Sequence, residues 1–182
     1  KEFKESVSEI GALITYEITR DLKTKPKKVA TPIELTTCNV LNEPVVIVPI
    51  LRAGLGMVEG IINIIPTAKV GHIGLYRNEE TLEPTDYYSK FPDEIKNGLV
   101  LLIDPMLATG GSAARAIEIL KKQGAKRIKF VGLVGCPEGI NKLQTTHPDV
   151  PIYLAALDSY LNEDGYIVPG LGDCGDRLFG TK

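Results

Sequence analysis

Short runs of apolar residues alternate with segments of helical periodicity along most of the chain. The apolar runs predict buried strands at residues 45–48, 70–76, 99–103, 128–134 and 152–157. Between and after them the pattern predicts helices at residues 55–65, 113–123 and 139–145. Strands buried on both faces and joined by helices are typical of parallel sheets. We therefore expect an α/β protein whose parallel sheet is flanked by helices on both faces.

The first 43 residues are less regular. An apolar stripe at spacings of three and four predicts a helix from the N-terminus to about Leu22, formed by Phe3, Val7, Ile10, Ile14 and Ile18. Residues 23–28 are predicted to form a short basic loop. The next segment has two interpretations, because Thr31, Pro32 and Glu34 resemble a capped helix start, whereas Ile33 and Leu35 suit a strand equally well.

The strand at residues 99–103 leads into a loop that suits a phosphate. Its residues, which we call the phosphate loop, are Asp104, Pro105, Met106, Leu107, Ala108, Thr109, Gly110, Gly111 and Ser112. Backbone N–H groups, hydroxyls and a helix N-terminus together attract an anion. A carboxylate does not, but Asp104 can accept hydrogen bonds from a diol beside the phosphate, which points to a phosphoribosyl ligand. The alternative is an ordinary tight turn with a capping aspartate.

Two common nucleotide motifs are excluded. No Gly-Lys pair occurs in the chain, so a Walker loop is absent. Gly170, Gly172 and Gly175 match the dinucleotide-binding spacing, but only seven residues follow Gly175 in this sequence. That leaves no room for the helix, strand and ribose-binding acid that the motif requires.

Two arginines follow predicted strands. Arg52 is the sole cation in the stretch from Pro44 to Val58, and it is expected either to pair with a carboxylate or to donate to phosphate oxygens. Arg77 opens a polar region, residues 77–91, that looks like an excursion or a two-stranded flap. Such a flap could close as a lid that excludes water, and the two arginines together could hold a diphosphate.

Residues 166–177 contain three glycines and two acidic residues. Glycine-rich main chain lets a flat ligand approach closely, and its N–H and C=O groups can match the edge of a nucleobase. The competing interpretation is a structural tail in which Asp173 and Asp176 cap a turn or pair with Arg177. His72 and His147 have no nucleophile or acid at a recognisable spacing, so both are expected to be structural.

Composition limits the function classes. A length of 182 residues suits one domain, residues 1–182, and the net charge of −2 argues against a nucleic-acid surface. No apolar run reaches the length of a membrane span, so we expect no membrane partner and a cytoplasmic location. Three widely spaced cysteines support neither disulfides nor a zinc site. Because the chain starts with Lys1 rather than Met, we expect that residues precede it.

Four segments resemble the uracil phosphoribosyltransferase family. They read DPMLATGGS from Asp104, PILRAGLGM from Pro49, GLYRNEETLEP from Gly74 and YIVPGLGDCGDR from Tyr166. The resemblance implies a type I phosphoribosyltransferase-like fold, with a β-flap at about 77–91 and a C-terminal base-binding hood at about 158–182. It also implies transfer of the phosphoribosyl group from 5-phosphoribosyl 1-diphosphate (PRPP) to uracil, giving UMP and diphosphate in pyrimidine salvage, with Mg²⁺ bound mainly through the diphosphate.

The resemblance also implies residue roles. Asp104, Arg77 and Asp173 would be catalytic, and PRPP would be bound by Arg52, Arg77, Asp173 and the whole phosphate loop. Uracil would contact Ile167, Gly172, Asp173 and Cys174, although many relatives carry alanine where this chain has Cys174. Many phosphoribosyltransferases have a second acid after the strand, whereas Pro105 stands here. A GTP activator and a homodimer or higher homo-oligomer are further implications.

Two other functions remain open from the sequence. The first is transfer to another base, such as a purine or orotate, although the narrow glycine-rich segment argues against it. The second is a regulatory nucleotide-binding protein that has lost activity and binds RNA. The modest negative charge and the intact Asp104, Arg52 and Asp173 argue against that function.

Overall fold

The computed structural model describes residues 1–77 and 84–181. The helices in this part are α1 (Glu2–Ile18), α2 (Leu55–Ile64), α3 (Gly111–Lys122), α4 (Pro137–Thr146) and α5 (Cys174–Phe179), with a 3-10 helix at Asp93–Lys96. The strands are β1 (Thr24–Ala30), β2 (Leu35–Leu41), β3 (Val45–Leu51), β4 (Lys69–Val70), β5 (His72–Arg77), β6 (Pro84–Lys90), β7 (Leu99–Ile103), β8 (Met106–Leu107), β9 (Arg127–Gly135), β10 (Ile152–Leu157), β11 (Tyr160–Leu161) and β12 (Ile167–Val168). None of these helices is both long and apolar enough to cross a membrane.

The main sheet has eight strands among the described residues. Its order is β10-β9-β7-β3-β5-β6, with β4 beside β3 and β8 beside β9. All pairs are parallel except β5 and β6, which run antiparallel at one edge. The predicted strands from residue 45 onward are confirmed, except that the one predicted at residues 70–76 is divided at Gly71 into β4 and β5. The antiparallel edge fits the expected two-stranded flap. A short connection between consecutive strands forces antiparallel pairing, because a parallel pair needs a long crossover.

Two hydrophobic layers lie on opposite faces of this sheet. On one face, Val46 and Val48 of β3 pack with buried residues of α3 and α4. On the other face, Val45 and Ile47 of the same strand pack with α1, α2 and α5. Successive side chains of a strand point to opposite faces, so a continuous apolar run fills both layers. This explains why the central strands were recognisable from the sequence.

Helices α1 and α2 are in unusually close contact. A Cβ built on Gly60 would collide with the backbone carbonyl of Ser8, and one on Gly11 would lie 3.3 Å from the Met57 carbonyl oxygen. Glycine at these positions lets the two helix backbones meet.

The prediction of a basic loop at residues 23–28 is wrong. Helix α1 ends at Ile18, before the expected Leu22, and β1 then pairs antiparallel with β2 from Thr24↔Leu41 to Ala30↔Leu35. Most of this hairpin is exposed, so its sequence carries no alternating apolar signal. The strand interpretation of Leu35 is correct. The helix-cap pattern has a physical basis too, because the Thr31 hydroxyl accepts hydrogen bonds from the N–H groups of Ile33 and Glu34 in the hairpin turn.

Buried Lys129 links β9 to the end of α1. Its ammonium donates to the Ile18 carbonyl at 2.8 Å and to Asp21 Oδ1 at 2.7 Å. The hydrogen bond from Lys129 lowers the pKa of Asp21 below its ordinary value. A buried lysine needs such partners, because an isolated charge in the core is very unfavourable.

Candidate active site

The carboxyl ends of the parallel strands carry the predicted functional loops. Strand β3 leads to Arg52, and the neighbouring β7 leads to Asp104 and the phosphate loop. Ligands of open α/β sheets bind at this edge. Two adjoining cavities lie here.

The smaller cavity, about 80 Å³, is enclosed by the phosphate loop and the start of α3. Its lining residues are Asp104, Met106, Leu107, Ala108, Thr109, Gly110, Ser112 and Ala113. Gly110 caps α3 with a φ of 76°, a left-handed conformation that favours glycine. The first N–H groups of a helix have no acceptor within it, so this turn presents donors to an anion.

Pro105 and Gly111 do not line the smaller cavity, but their backbone groups hold the phosphate loop in place. The Pro105 carbonyl accepts hydrogen bonds from the N–H groups of Leu133 and Val134, at 2.9 and 3.0 Å, and so fixes the loop to β9. The Gly111 N–H donates to the Thr109 hydroxyl at 3.4 Å. The loop is therefore held by the sheet on one side and by its own threonine on the other.

Asp104 is half-buried and lines both cavities. Removal from water raises its pKa from 3.8 to about 7, and the nearby negative charge of Asp173 acts in the same direction. The Met106 N–H donates to Asp104 Oδ1 at 3.4 Å and partly opposes this shift. A carboxylate with so little solvation is well suited to accept hydrogen bonds from ligand hydroxyls.

The larger cavity, about 240 Å³, is formed by the phosphate loop on one side and the glycine-rich C-terminal segment on the other. Its lining residues are Ala53, Asp104, Met106, Ala108, Gly165, Tyr166, Ile167, Gly172, Asp173, Cys174 and Gly175. All four residues expected to contact uracil are among them. Asp104, Met106 and Ala108 line both cavities, so the two sites share a wall.

The C-terminal segment folds over the cavity as a small hairpin followed by α5. Strands β11 and β12 pair antiparallel, with Leu161 opposite Ile167. Asp158 Oδ2 accepts the Gly170 N–H at 2.9 Å, and Gly172 has a φ of 73°. Residues 158–181 form the described part of the expected hood, and we use that name for them below.

Asp173 and Cys174 stand at the start of α5. Asp173 caps this helix by accepting the Asp176 N–H at 2.8 Å, which matches the capping alternative and still leaves Asp173 in the cavity wall. The Cys174 thiol is buried, which raises its pKa to about 11, with Asp104 and Asp173 adding to the rise. A thiol that stays protonated is a poor nucleophile.

Arg52 makes an exposed ion pair with the C-terminal helix. Its guanidinium lies 3.4 Å from Asp176 Oδ1, donates to the Thr181 hydroxyl at 3.2 Å and lies 6.0 Å from the Phe179 ring centre. In the alternative interpretation of this segment, Asp176 could pair with Arg177, but the structure pairs it with Arg52. Arg177 instead donates to the Leu171 carbonyl at 2.8 Å and stacks 3.8 Å above the Phe3 ring.

The predicted role of Arg77 stays a prediction. Arg77 is the last residue of β5, but its side chain and residues 78–83 lie outside what the structure describes. The lid function expected of this flap falls on the same residues.

Tyr166 lines the cavity but was not predicted from the sequence as a site residue. Its side chain is partly exposed and lines the larger cavity at the turn of the hood. It stood inside the glycine-rich segment, yet only the folded hairpin reveals its position. His147 is buried and lies 3.2 Å from the Ala114 carbonyl through Nε2, in keeping with a structural role.

A still larger groove, about 570 Å³, lies between α1, α2 and α5. Its charged lining residues carry both signs, namely Lys1, Lys4, Glu5, Glu9 and Glu59. It contains none of the predicted site residues, so we place the chemistry at the two smaller cavities.

Comparison with known proteins identifies the family. A family model described as uracil phosphoribosyltransferase matches residues 1–181. The chain belongs to this family. The uracil phosphoribosyltransferase of Acholeplasma laidlawii (strain PG-8A) is 68% identical over 182 residues, covering 100% of this chain and 88% of the relative.

Solved structures share the fold of the chain. The AQ2163 protein from Aquifex aeolicus superposes with a TM-score of 0.92 at 42% identity, covering 98% of this chain and 86% of the other. A hypoxanthine-guanine phosphoribosyltransferase from Bacillus anthracis has a TM-score of 0.60 at 15% identity, covering 85% and 78%, which shows the shared fold alone.

These findings confirm the predicted family and the type I phosphoribosyltransferase-like α/β fold. They also confirm the predicted enzyme class and activity, formation of UMP from uracil and PRPP.

Proposed function

We propose that the two adjoining cavities are the PRPP and uracil sites of this activity. The observation that carries the proposal is their common wall of Asp104, Met106 and Ala108. A sugar phosphate in the smaller cavity and a base in the larger one would meet at that wall. Bond formation between them needs such proximity, because correct placement of two reactants supplies a large part of the barrier reduction.

The phosphate loop would bind the 5-phosphate and the ribose. Gly110, Ser112 and Asp104 line the smaller cavity, where the two backbone N–H groups would donate to the phosphate and the carboxylate would accept the ribose hydroxyls. When the bond from C1 to diphosphate breaks, positive charge develops on the ribose ring. The Asp104 and Asp173 carboxylates, both at the wall of the larger cavity, would stabilise that charge.

Arg52 and Arg77 would bind the diphosphate leaving group. Among the described residues, no group of three or more His, Cys, Asp or Glu side chains could hold a metal ion. We expect Mg²⁺ to arrive on the diphosphate, because Mg²⁺ commonly keeps its waters and binds substrate phosphates. When bound, the ion neutralises charge on the leaving group.

The hood would select the base through main-chain groups. Gly172 and Cys174 bring backbone N–H and C=O groups to the cavity, and Ile167 supplies an apolar wall. A buried thiol at Cys174 differs little in volume from a small apolar residue, so recognition through the backbone tolerates it.

The proposal is tested with radiolabelled uracil, PRPP and Mg²⁺, with UMP as the measured product. We expect UMP formation that requires all three components. Hypoxanthine, orotate and cytosine serve as competing bases, and preference for one of them would overturn the base assignment. Salt-dependent RNA binding without UMP formation would instead support the regulatory alternative.

We further propose that the whole chain, residues 1–182, acts as one phosphoribosyltransferase domain in a homodimer or higher homo-oligomer. Large apolar side chains on α1 and the β1–β2 hairpin support an oligomer, since Leu13 is 70% exposed, Ile33 91% and Leu35 75%. Sedimentation equilibrium tests it, and a monomer would contradict it.

The family resemblance supports GTP as an activator and a cytoplasmic location for the chain. The free thiols of Cys38, Cys136 and Cys174 agree with a reducing compartment. Titration of UMP formation with GTP tests the first point, and fractionation of cells tests the second.

A further inference from the structure

We propose that the beginning of α4 positions both halves of the active site, with Cys136 holding the phosphate loop and Glu138 holding the hood. Neither side chain lines the two cavities, so both are positioning residues. This inference rests on the proposed function of those cavities.

On the phosphate side, Cys136 binds the backbone of the loop. Its N–H donates to the Leu107 carbonyl at 3.2 Å, and its thiol donates to the Ala108 carbonyl at 3.3 Å. Gly139 brings the helix still closer, since a Cβ there would lie 2.5 Å from the Ala108 oxygen and 2.6 Å from the Leu107 oxygen. The loop therefore rests directly on α4.

The Cys136 thiol is suited to this position. It is fully buried, and burial raises its pKa, so it remains a protonated donor at neutral pH. The carbonyl it binds belongs to Ala108, which lines both cavities. A shift of this carbonyl would move the common wall.

On the hood side, Glu138 binds the first strand of the hairpin. Its Oε1 accepts the Leu161 N–H at 3.1 Å, and this bond lowers the pKa of the Glu138 carboxyl, which stays ionised at neutral pH. Leu161 pairs with Ile167 across the hairpin, and Ile167 lines the base cavity. One hydrogen bond thus connects α4 to the wall expected to contact uracil.

The two contacts start from residues two positions apart, since Cys136 is the N-cap of α4 and Glu138 lies in its first turn. The separation between the sugar-phosphate site and the base site is therefore set partly by α4. A hood released from Glu138 must be ordered again each time uracil binds, and that ordering weakens binding.

Glu138→Ala tests the hood contact. We expect the KM for uracil to rise about three- to tenfold, while the KM for PRPP and the melting temperature stay near those of the unmodified protein. Glu138→Gln keeps an oxygen acceptor and should restore the uracil KM. Glu59→Ala, which removes an exposed acid of α2 that lines neither cavity, is the matched control and should change neither KM.

Cys136→Ala tests the loop contact, and here the KM for PRPP should be affected more than the KM for uracil. The KM for PRPP should rise several-fold and that for uracil should change less, whereas Cys136→Ser keeps a donor and should lie closer to the unmodified protein.

Unchanged uracil KM in Glu138→Ala, or equal rises of both KM values, would overturn the inference. Failure of the proposed function is a different result, since the unmodified protein would then form no UMP.

Discussion

At the scale of single residues, burial makes the ionised form of Asp104 unfavourable for stability. Its pKa rises from 3.8 to about 7 because the carboxyl loses water. An acid whose pKa is raised by folding favours the folded state below about pH 4, and this contribution is lost as the pH rises through 7. The ionised form, which we propose binds the ribose, is thus the less stable one.

We predict that Asp104→Asn lowers kcat/KM for PRPP at least tenfold but increases stability at high pH. Relative to the unmodified protein, the variant should gain about 2 kcal/mol more in the free energy of unfolding at pH 8 than at pH 4. This is less than the full pKa shift would give, because the site is partly solvated. Urea unfolding at both pH values measures it. In the unmodified protein kcat/KM should fall between pH 8 and pH 6, and a variant that retains this fall would exclude Asp104 as its cause.

Arg52 is paired with Asp176 before any ligand arrives. A diphosphate must compete with that carboxylate, so Asp176→Asn should lower the KM for PRPP about two- to threefold. Arg52→Gln should raise it about tenfold, because a charge-assisted contact is lost. Initial rates at varied PRPP measure both. Arg20→Gln, at an exposed position just after the end of α1, is the control, and equal effects of all three variants would contradict a specific role for Arg52.

Candidate site residues could be predicted from the sequence where a residue type is unusual for its neighbours. Asp104 and Arg52 are charged groups next to apolar strands, and Gly172 lies in a run too rich in glycine for an ordinary turn. The partners were not predictable. Asp176 faces Arg52 across 124 positions of sequence, and Tyr166 reaches the cavity only because β11 and β12 pair.

At the scale of elements, the contact between α1 and α2 depends on Gly60. We predict that Gly60→Ala destabilises the protein by about 1–3 kcal/mol, because the new methyl group must push the Ser8 backbone away. Urea unfolding measures the loss. Glu59→Ala, an exposed neighbour, should change stability by less than about 0.5 kcal/mol. Equal stabilities of the two variants would show that the helices can separate freely.

Elements were predictable in proportion to their burial. Strand β7 is buried at every position, and its apolar run was unambiguous. The β1–β2 hairpin is held by backbone pairing and exposes most of its lysines and threonines, so its residues resembled a loop. Backbone hydrogen bonds leave no mark on side-chain pattern, and this is why the hairpin was missed.

At the scale of the whole molecule, the hood and the phosphate loop together should determine which base reacts. We predict that uracil is preferred over cytosine by up to roughly 10⁴ in kcat/KM, because the wrong base leaves buried donors or acceptors unpaired. Separate rate measurements with each base, at saturating PRPP, give the ratio. A ratio near one would mean that the hood does not recognise the edge of the base.

The sheet divides the core into two layers. The phosphate loop, which we propose binds the sugar phosphate, leads into α3 of one layer, and α5, which we propose contacts the base, belongs to the other. Substitutions that reshape one side need not disturb the other, since packing effects fade beyond direct neighbours. During evolution, the base that an enzyme of this fold accepts could therefore change while the part that activates the pentose stayed the same.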